Sequence, residues 1–218
     1  MSGLELLGSG READVYRLDG ERVLRRYRDG YDVAQEAEIM AYVGAFGYPV
    51  PTVYDVDGPD LVMELLDGPT MAAALEAADL ELPAGAKMLA DLHDRLHALP
   101  ARSPDRDGDR VIHLDLHPEN VLLVARGPVV IDWRNATDGP PDFDLALSAM
   151  VLAEVSFAVD VERAVAVRAL LAGFLEHVGG DPLRLLDRAL ARRLANPTLS
   201  AAEHDLLGSA AALVRELA

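Results

Sequence analysis

Polar and apolar positions alternate in short runs over the first third of the chain. Residues 4–7, 13–18 and 23–27 read as β-strands, punctuated by Gly8-Ser9-Gly10 and by Asp19-Gly20. An Asp-Gly pair between apolar runs is a strong hairpin signal. Over residues 32–46 the spacing becomes helical, with Val33, Ala37, Met40, Ala41 and Gly44 on one side. Two more strands follow at 53–56 and 61–66, turned at Asp57-Gly58-Pro59. This predicts a small sheet carrying one helix.

After a connector near residues 65–70 the pattern is mainly helical. A short helix is expected at 71–78 and a long one at 83–99, with Leu89, Leu92, Leu96 and Leu99 as its apolar stripe. Residues 101–110 form a polar loop rich in Pro, Gly and Asp. Strands at 121–124 and 129–131 flank a turn at Arg126-Gly127. Four helices are then expected, at 143–159, 161–178, 182–194 and 200–217. Ser200 and Glu203 make a capping-box signature at the start of the last.

Composition narrows the class. The chain has 218 residues, 50% hydrophobic and 26% charged, a globular balance. At about 150 residues per domain this is one domain or one two-lobed unit. The absence of Cys excludes disulfides, thiolate metal sites and a cysteine nucleophile. A formal charge of -17 argues against nucleic acid or an anionic membrane as partner. Residues 1–10 lack a basic start followed by an apolar stretch, so no signal peptide is expected. The most apolar run, 145–159, is short and broken by Glu154, and reads as a buried helix rather than a membrane span. A cytoplasmic location is the resulting expectation; oligomeric state stays open. Lys87 is the one lysine, so nearly all cations are arginines.

The chemistry concentrates in His113-Leu114-Asp115-Leu116-His117-Pro118-Glu119-Asn120 and, after two apolar strands, Asp132-Trp133. An Asp and an Asn five apart on a loop entering a strand can address one centre, and an Asp ending the partner strand can reach it too. Three such oxygen donors suit Mg²⁺. Asp115 can instead hold a substrate hydroxyl and accept its proton.

These residues resemble the aminoglycoside phosphotransferase and choline kinase branch of the protein-kinase-like fold. Its catalytic loop reads H-x-D-x-x-x-x-N, with a metal-binding aspartate on the next strand, and His113, Asp115, Asn120 and Asp132 match. The resemblance implies an α+β, two-lobed fold: an antiparallel sheet with one helix, then a mainly helical lobe with a β insertion. It makes residues 1–67 a nucleotide-binding lobe and 68–218 the lobe with the catalytic loop and acceptor-binding helices. It implies transfer of the ATP γ-phosphate to a hydroxyl of a small molecule, such as an antibiotic or an amino alcohol. Asp115, with His113 and Asn120, would be catalytic, and Asn120 and Asp132 would hold Mg²⁺.

Further matches extend the resemblance. Gly8, Ser9 and Gly10 open a stretch similar to the Gly-rich phosphate loop, with Ala13 where a third Gly is usual and Val15 after it. The kinase strand lysine is missing. Period two puts Val23 and Arg25 on one face, making Arg25 the candidate replacement, with Glu36 as partner or Glu38 as the alternative. The Glu64 carbonyl and Leu66 N–H would read the adenine edge, and Val15, Val23 and Met63 would line its pocket. Asp144 would brace the catalytic loop, or Asp142 or Asp144 would cap a helix.

The missing lysine motivates a non-catalytic nucleotide-binding pseudokinase. A protein kinase fits poorly, because Asp-Phe-Gly is absent and only residues 133–142 separate Asp132 from the next helix. His93 and His97 sit at zincin spacing around Asp94, but read as packing residues, as does His117. Residues 1–144 carry 28 acidic and 13 basic side chains, and 145–218 carry nine and seven. The tail is therefore no acidic trap for a polycation, although Asp91, Asp94, Asp105, Asp107, Asp109 and Glu119 remain candidates to face an acceptor.

Overall fold

The computed structural model describes residues 4–103, 107–197 and 199–218. Its first elements are β1 (Glu5–Ser9), β2 (Ala13–Arg17), β3 (Arg22–Tyr27), α1 (Ala34–Ala45), β4 (Val53–Asp57), β5 (Asp60–Glu64), α2 (Met71–Glu76) and α3 (Leu82–His97). Then come β6 (Arg110–Ile112), β7 (Val121–Val124), β8 (Gly127–Val130), β9 (Thr137–Gly139), α4 (Pro141–Ala158), α5 (Val161–His177), α6 (Leu186–Leu194) and α7 (Ala201–Leu217). The chain divides into two compact units, Met1–Thr70 with Asn120–Ala136, and Met71–Glu119 with Thr137–Ala218. Asp105, one of the acids considered above, lies outside the described residues.

In the first unit five antiparallel strands run in the order β1-β2-β3-β5-β4. Asp19 makes the β2–β3 turn by accepting from the Glu21 and Arg22 N–H groups at 2.9 and 2.8 Å. Val15 pairs with Arg25, and Val23 with Met63. Directly opposed residues share a face, so Val15, Val23, Arg25 and Met63 all lie on one side of the sheet. Val33, Ala37 and Met40 are buried as read from sequence, but α1 corrects the rest of that face: Glu36, Ile39 and Val43 are buried with them, whereas Ala41 and Gly44 are exposed. A helix period that scores Glu as polar rotates the face away from Glu36, which is buried because it is paired.

The β7–β8 hairpin belongs to this unit. The Leu123 N–H donates to Pro69 C=O at 2.9 Å and that of Val130 to Pro49 C=O at 2.9 Å. At Gly68 the backbones come so close that a Cβ would lie 2.1 Å from the Leu123 carbonyl oxygen. Trp133, fully buried, donates Nε1–H to Val130 C=O at 2.9 Å and meets Tyr48 edge-on at 5.6 Å.

The second unit is built around α4, which packs on α5, α6 and α7. Its apolar residues are buried nearly all round, the signature of a helix inside a core. Leu89, Leu92 and Leu96 of α3 are buried as expected, facing α5, and a Cβ on Gly173 would stand 2.8 Å from that of Ala86. The helix expected over 182–194 begins as a tight turn, Pro182–Leu185, before α6. The ladder β6–β9 was not anticipated, because three-residue strands are too short to display a period. The capping box is present, with Ser200 Oγ accepting from Glu203 N–H at 3.3 Å and the Glu203 carboxylate from Ser200 N–H at 2.8 Å. Among the described residues no helix is long and apolar enough to cross a membrane.

Two glycines separate packing from other demands. Gly68→Ala is expected to lose about 1–3 kcal/mol in denaturant unfolding, since the obstacle is backbone. Gly8→Ala, whose Cβ would meet nothing within 4 Å, should change stability by no more than about 0.5 kcal/mol. Equal losses at both positions would contradict this account.

Candidate functional site

In the first unit the centre is Arg25. Its guanidinium is 12% exposed and spans two carboxylates, Glu36 Oε1 at 3.2 Å and Asp132 Oδ1 at 2.5 Å. Burial opposes its charge, but Asp132 and Glu36 outweigh burial and hold its pKa above the ordinary value. Glu36, 1% exposed, also accepts from the Tyr27 hydroxyl at 2.8 Å. Burial pushes the Glu36 pKa up, and the facing Arg25 charge limits the rise. Glu38, the alternative partner, is on the exposed side of α1.

Asp132 follows β8 in left-handed backbone, φ 67°, where a non-glycine residue is strained. Asn120, buried, precedes β7, and its carbonyl accepts from Ile131 N–H at 3.0 Å. The hairpin therefore brings Asn120 beside the Ile131–Asp132 strand end. The two offer an amide and a carboxylate oxygen, a hard-donor set that fits Mg²⁺, which takes few protein ligands and completes its shell with water and phosphate. Among the described residues no group of three His, Cys, Asp or Glu could hold a metal unaided.

The Gly8-Ser9-Gly10 stretch ends β1 and enters the turn to β2. Gly10 N–H donates to Ala13 C=O at 2.9 Å. Arg28 holds the turn from below, donating to Asp14 Oδ1 at 2.6 Å and Gly10 C=O at 2.7 Å. A Cβ at Gly8 meets nothing, and one at Gly10 only the Ala13 carbonyl at 3.6 Å, so the protein's own packing does not call for glycine there. Val23 and Met63 are buried neighbours, and Val15 is half-buried. Glu64 ends β5 and is ion-paired to Arg126, with Leu66 half-buried beyond it.

In the second unit the organising group is Asp144, fully buried in the first turn of α4. Its carboxylate accepts from His113 N–H at 3.0 Å, Leu114 N–H at 2.6 Å and His97 Nε2–H at 2.9 Å. Burial would raise its pKa, but the His97 bond and the other donors hold it well below the usual carboxylate range. The N-terminal cap of α4 is Pro140 without a side-chain bond, so Asp144 serves the loop rather than the helix end. Leu114 takes φ 66°, which turns the chain between His113 and Asp115. His113 Nδ1 accepts from Asp115 N–H at 3.3 Å, and His117 Nε2 stands 3.6 Å from Asp115 Oδ1.

Several participants were not singled out from sequence. Arg28 and Tyr27 act by holding other residues, and only the fold reveals whom they hold; His97, read from sequence as a packing residue, instead donates to Asp144. Arg188 and Arg192 of α6 were also missed: the Arg188 guanidinium lies over the Phe143 ring, next to Asp144, and Asp115 is the anion that acts on Arg192. Their spacing of four was a legible signal. Of the acids proposed to face an acceptor, Asp91 is paired to Lys87 and Asp94 accepts from Gly179 N–H.

A family model described as "Phosphotransferase enzyme family" matches residues 3–111 and 104–186. Streptomycin 6-kinase of Streptomyces griseus is 31% identical over 134 residues, which are 59% of this chain and 39% of that protein. The match thus spans well under half of that relative's length. Among solved structures, the streptomycin-ATP-APH(2")-IIa ternary complex has a TM-score of 0.57 at 15% identity, covering 99% of this chain and 91% of that one. A choline/ethanolamine kinase family protein from Mesorhizobium loti has a TM-score of 0.54 at 17% identity, over 99% and 93%. The fold is therefore α+β and protein-kinase-like, with an antiparallel sheet and a mainly helical remainder, as expected.

His93 supplies a pH signature for the second unit. The Leu89 carbonyl, 2.9 Å from Nδ1, can only accept, so Nδ1 carries the proton and Nε2 accepts from the Ser148 hydroxyl at 2.9 Å. Burial pushes this histidine down to about 4. The unfolded chain, titrating near 6.5, binds more protons between the two values, so stability falls as pH drops from about 6.5 to about 4. The loss over that window is of order 3 kcal/mol, and His93→Gln should flatten it in thermal melts. Parallel melting curves for the two proteins would refute the assignment. Asp144 acts in a lower window, losing its contribution as pH falls below the ordinary carboxylate value near 3.8.

Proposed function

The chain belongs to the phosphotransferase enzyme family, and from that premise we propose that it moves the γ-phosphate of ATP to a hydroxyl of a small molecule in the cytoplasm. The observation that carries the reading is the catalytic-loop backbone hung from the buried Asp144, which presents Asp115 on a rigid support. Residues 1–67 are assigned to nucleotide binding, and 68–218 to the catalytic loop and acceptor helices.

Each side chain then has a task. Gly8, Ser9 and Gly10 let backbone N–H groups approach phosphate oxygens, in keeping with the open space over the glycines. Arg25 stands in for the usual lysine as phosphate-binding cation, with Glu36 holding it. Val15, Val23 and Met63 bound an apolar slot for adenine, whose edge the Glu64 carbonyl and Leu66 N–H would read. Asn120 and Asp132 would hold Mg²⁺, which when bound neutralises charge on the phosphate oxygens. Asp115 orients the acceptor hydroxyl and takes its proton. The hydroxyl oxygen bonds to the γ-phosphorus as the bond from that phosphorus to the β–γ bridging oxygen breaks, and ADP departs. His113 fixes the Asp115 backbone and is a positioning residue.

A pseudokinase remains the second reading, favoured by one observation: Arg25 already bonds Asp132, so the same guanidinium that would hold phosphate also competes for the metal aspartate. Mg²⁺-dependent ATP hydrolysis that vanishes in Asp132→Ala decides for the enzyme. Asp115→Asn should lower phosphoryl transfer about 100-fold or more and leave ATP affinity within about twofold by calorimetry. Near-normal turnover by that variant would overturn the assignment of the base.

A further inference from the structure

Arg184, Arg188 and Arg192 recur every four residues along the turn before α6 and α6 itself. Their partners progress along the start of α4 towards the catalytic loop. Arg184 Nη1 lies 3.3 Å from Asp142 Oδ2. The Arg188 guanidinium stacks over the Phe143 ring at 4.2 Å. The next residue, Asp144, holds the His113 and Leu114 N–H groups immediately before Asp115. Arg192 is one turn beyond Arg188. Desolvation works against its charge, Asp115 is the anion that favours it, and Arg188 and Arg193 repel it, leaving its pKa below the ordinary value.

The pairing pattern is unusual for this chain. With 37 acidic residues against 20 Lys and Arg, most cations find a carboxylate, as Arg17, Arg26, Arg126 and Arg215 do. Arg188 and Arg192 make no ion pair or hydrogen bond among the described residues, and both are exposed. The acids near them are engaged elsewhere: Asp142 by Arg184, Asp144 by His97 and the loop, Glu154 by Arg193, and Asp187 by Arg215. Apart from Asp115, which acts on Arg192 without an ion pair or hydrogen bond to it among the described residues, no carboxylate offsets the mutual repulsion of these guanidinium groups, and such repulsion is destabilising unless something else meets it.

We infer that the acceptor carries an anionic group, a carboxylate or a phosphate, beside its hydroxyl, and that Arg188 and Arg192 bind it. The inference rests on the kinase reading, because Asp115 marks where the hydroxyl is activated. The planar guanidinium fork matches both oxyanions. It repels a polycation, against what the overall acidity suggests.

The test uses the full chain with Mg²⁺ and saturating AMP-PNP, so that nucleotide phosphates are already accommodated. Glycerate, gluconate and glycerol 3-phosphate are titrated calorimetrically beside glycerol, choline and streptomycin at one ionic strength. At least one anion should bind about tenfold or more tightly than glycerol, and the carboxylate and phosphate arms tell which oxyanion is preferred. Arg188→Gln and Arg192→Gln should each weaken it about tenfold, and Arg192→Lys less. Arg168→Gln, whose guanidinium lies over Phe157 at 5.2 Å on α5, should leave binding unchanged, and melts check that every variant folds. Binding of none of the three anions, tighter binding of choline or streptomycin than of every anion, or indifference to both Gln variants would each overturn the inference. If AMP-PNP itself fails to bind, the kinase reading falls first and this inference with it.

Discussion

A guanidinium at 12% exposure can persist only where anions replace its lost water, and that constraint organises the first unit around Arg25. The side chain starts on β3, meets Glu36 from α1, and ends at Asp132 after β8. Three segments far apart in sequence are thereby tied to one charge. The tie is mutual, since Glu36 is the more deeply buried partner and would be left unpaired without Arg25. Tyr27, through its hydroxyl on Glu36 and its ring 4.8 Å from the Arg25 guanidinium carbon, completes the enclosure. Lysine could supply the charge, but one ammonium is less suited to bridging two carboxylates in fixed directions than a planar fork.

The second unit solves the converse problem with Asp144, a buried anion met by three donors. Two of them are the backbone N–H groups of His113 and Leu114, so the cost of burying the carboxylate is offset by contacts that also shape the loop before Asp115. Of the three described non-glycine residues in left-handed backbone, Leu114 stands beside Asp115 and Asp132 follows the β7–β8 hairpin, while Ala78 lies just beyond α2. Such conformations persist only where surrounding bonds over-determine them, and at Leu114 and Asp132 those bonds come from Asp144 and Arg25. At these two positions the strained backbone thus lies beside a buried charge that secures it.

Much was legible along the chain. Strands, hairpin turns and long helices follow from period, Asp-Gly turn chemistry and the Ser200–Glu203 cap, all of which act over a few residues. The motif residues His113, Asp115, Asn120 and Asp132 were legible because their spacing is local. What escaped shares one cause. The buried face of α1 was placed only in part, because Glu36 counts as polar until its partners are known. The β6–β9 ladder joins strands too short to show a pattern. Arg188 and Arg192 were not singled out, and although their spacing of four can be read from sequence, nothing in their own helix reveals that the neighbouring carboxylates are engaged elsewhere.

Sequence alone therefore determined the kinds of element, the family resemblance and the residues able to do chemistry, since these depend on side-chain type and short-range spacing. Tertiary structure decided which charges meet: that Glu36 rather than Glu38 takes Arg25, that Asp144 bonds the loop instead of capping its helix, and that Arg188 and Arg192 of α6 make no ion pair among the described residues. The reason is physical. A charge is compensated by whichever group lies within a few ångströms after folding, and separation along the chain carries no information about that distance.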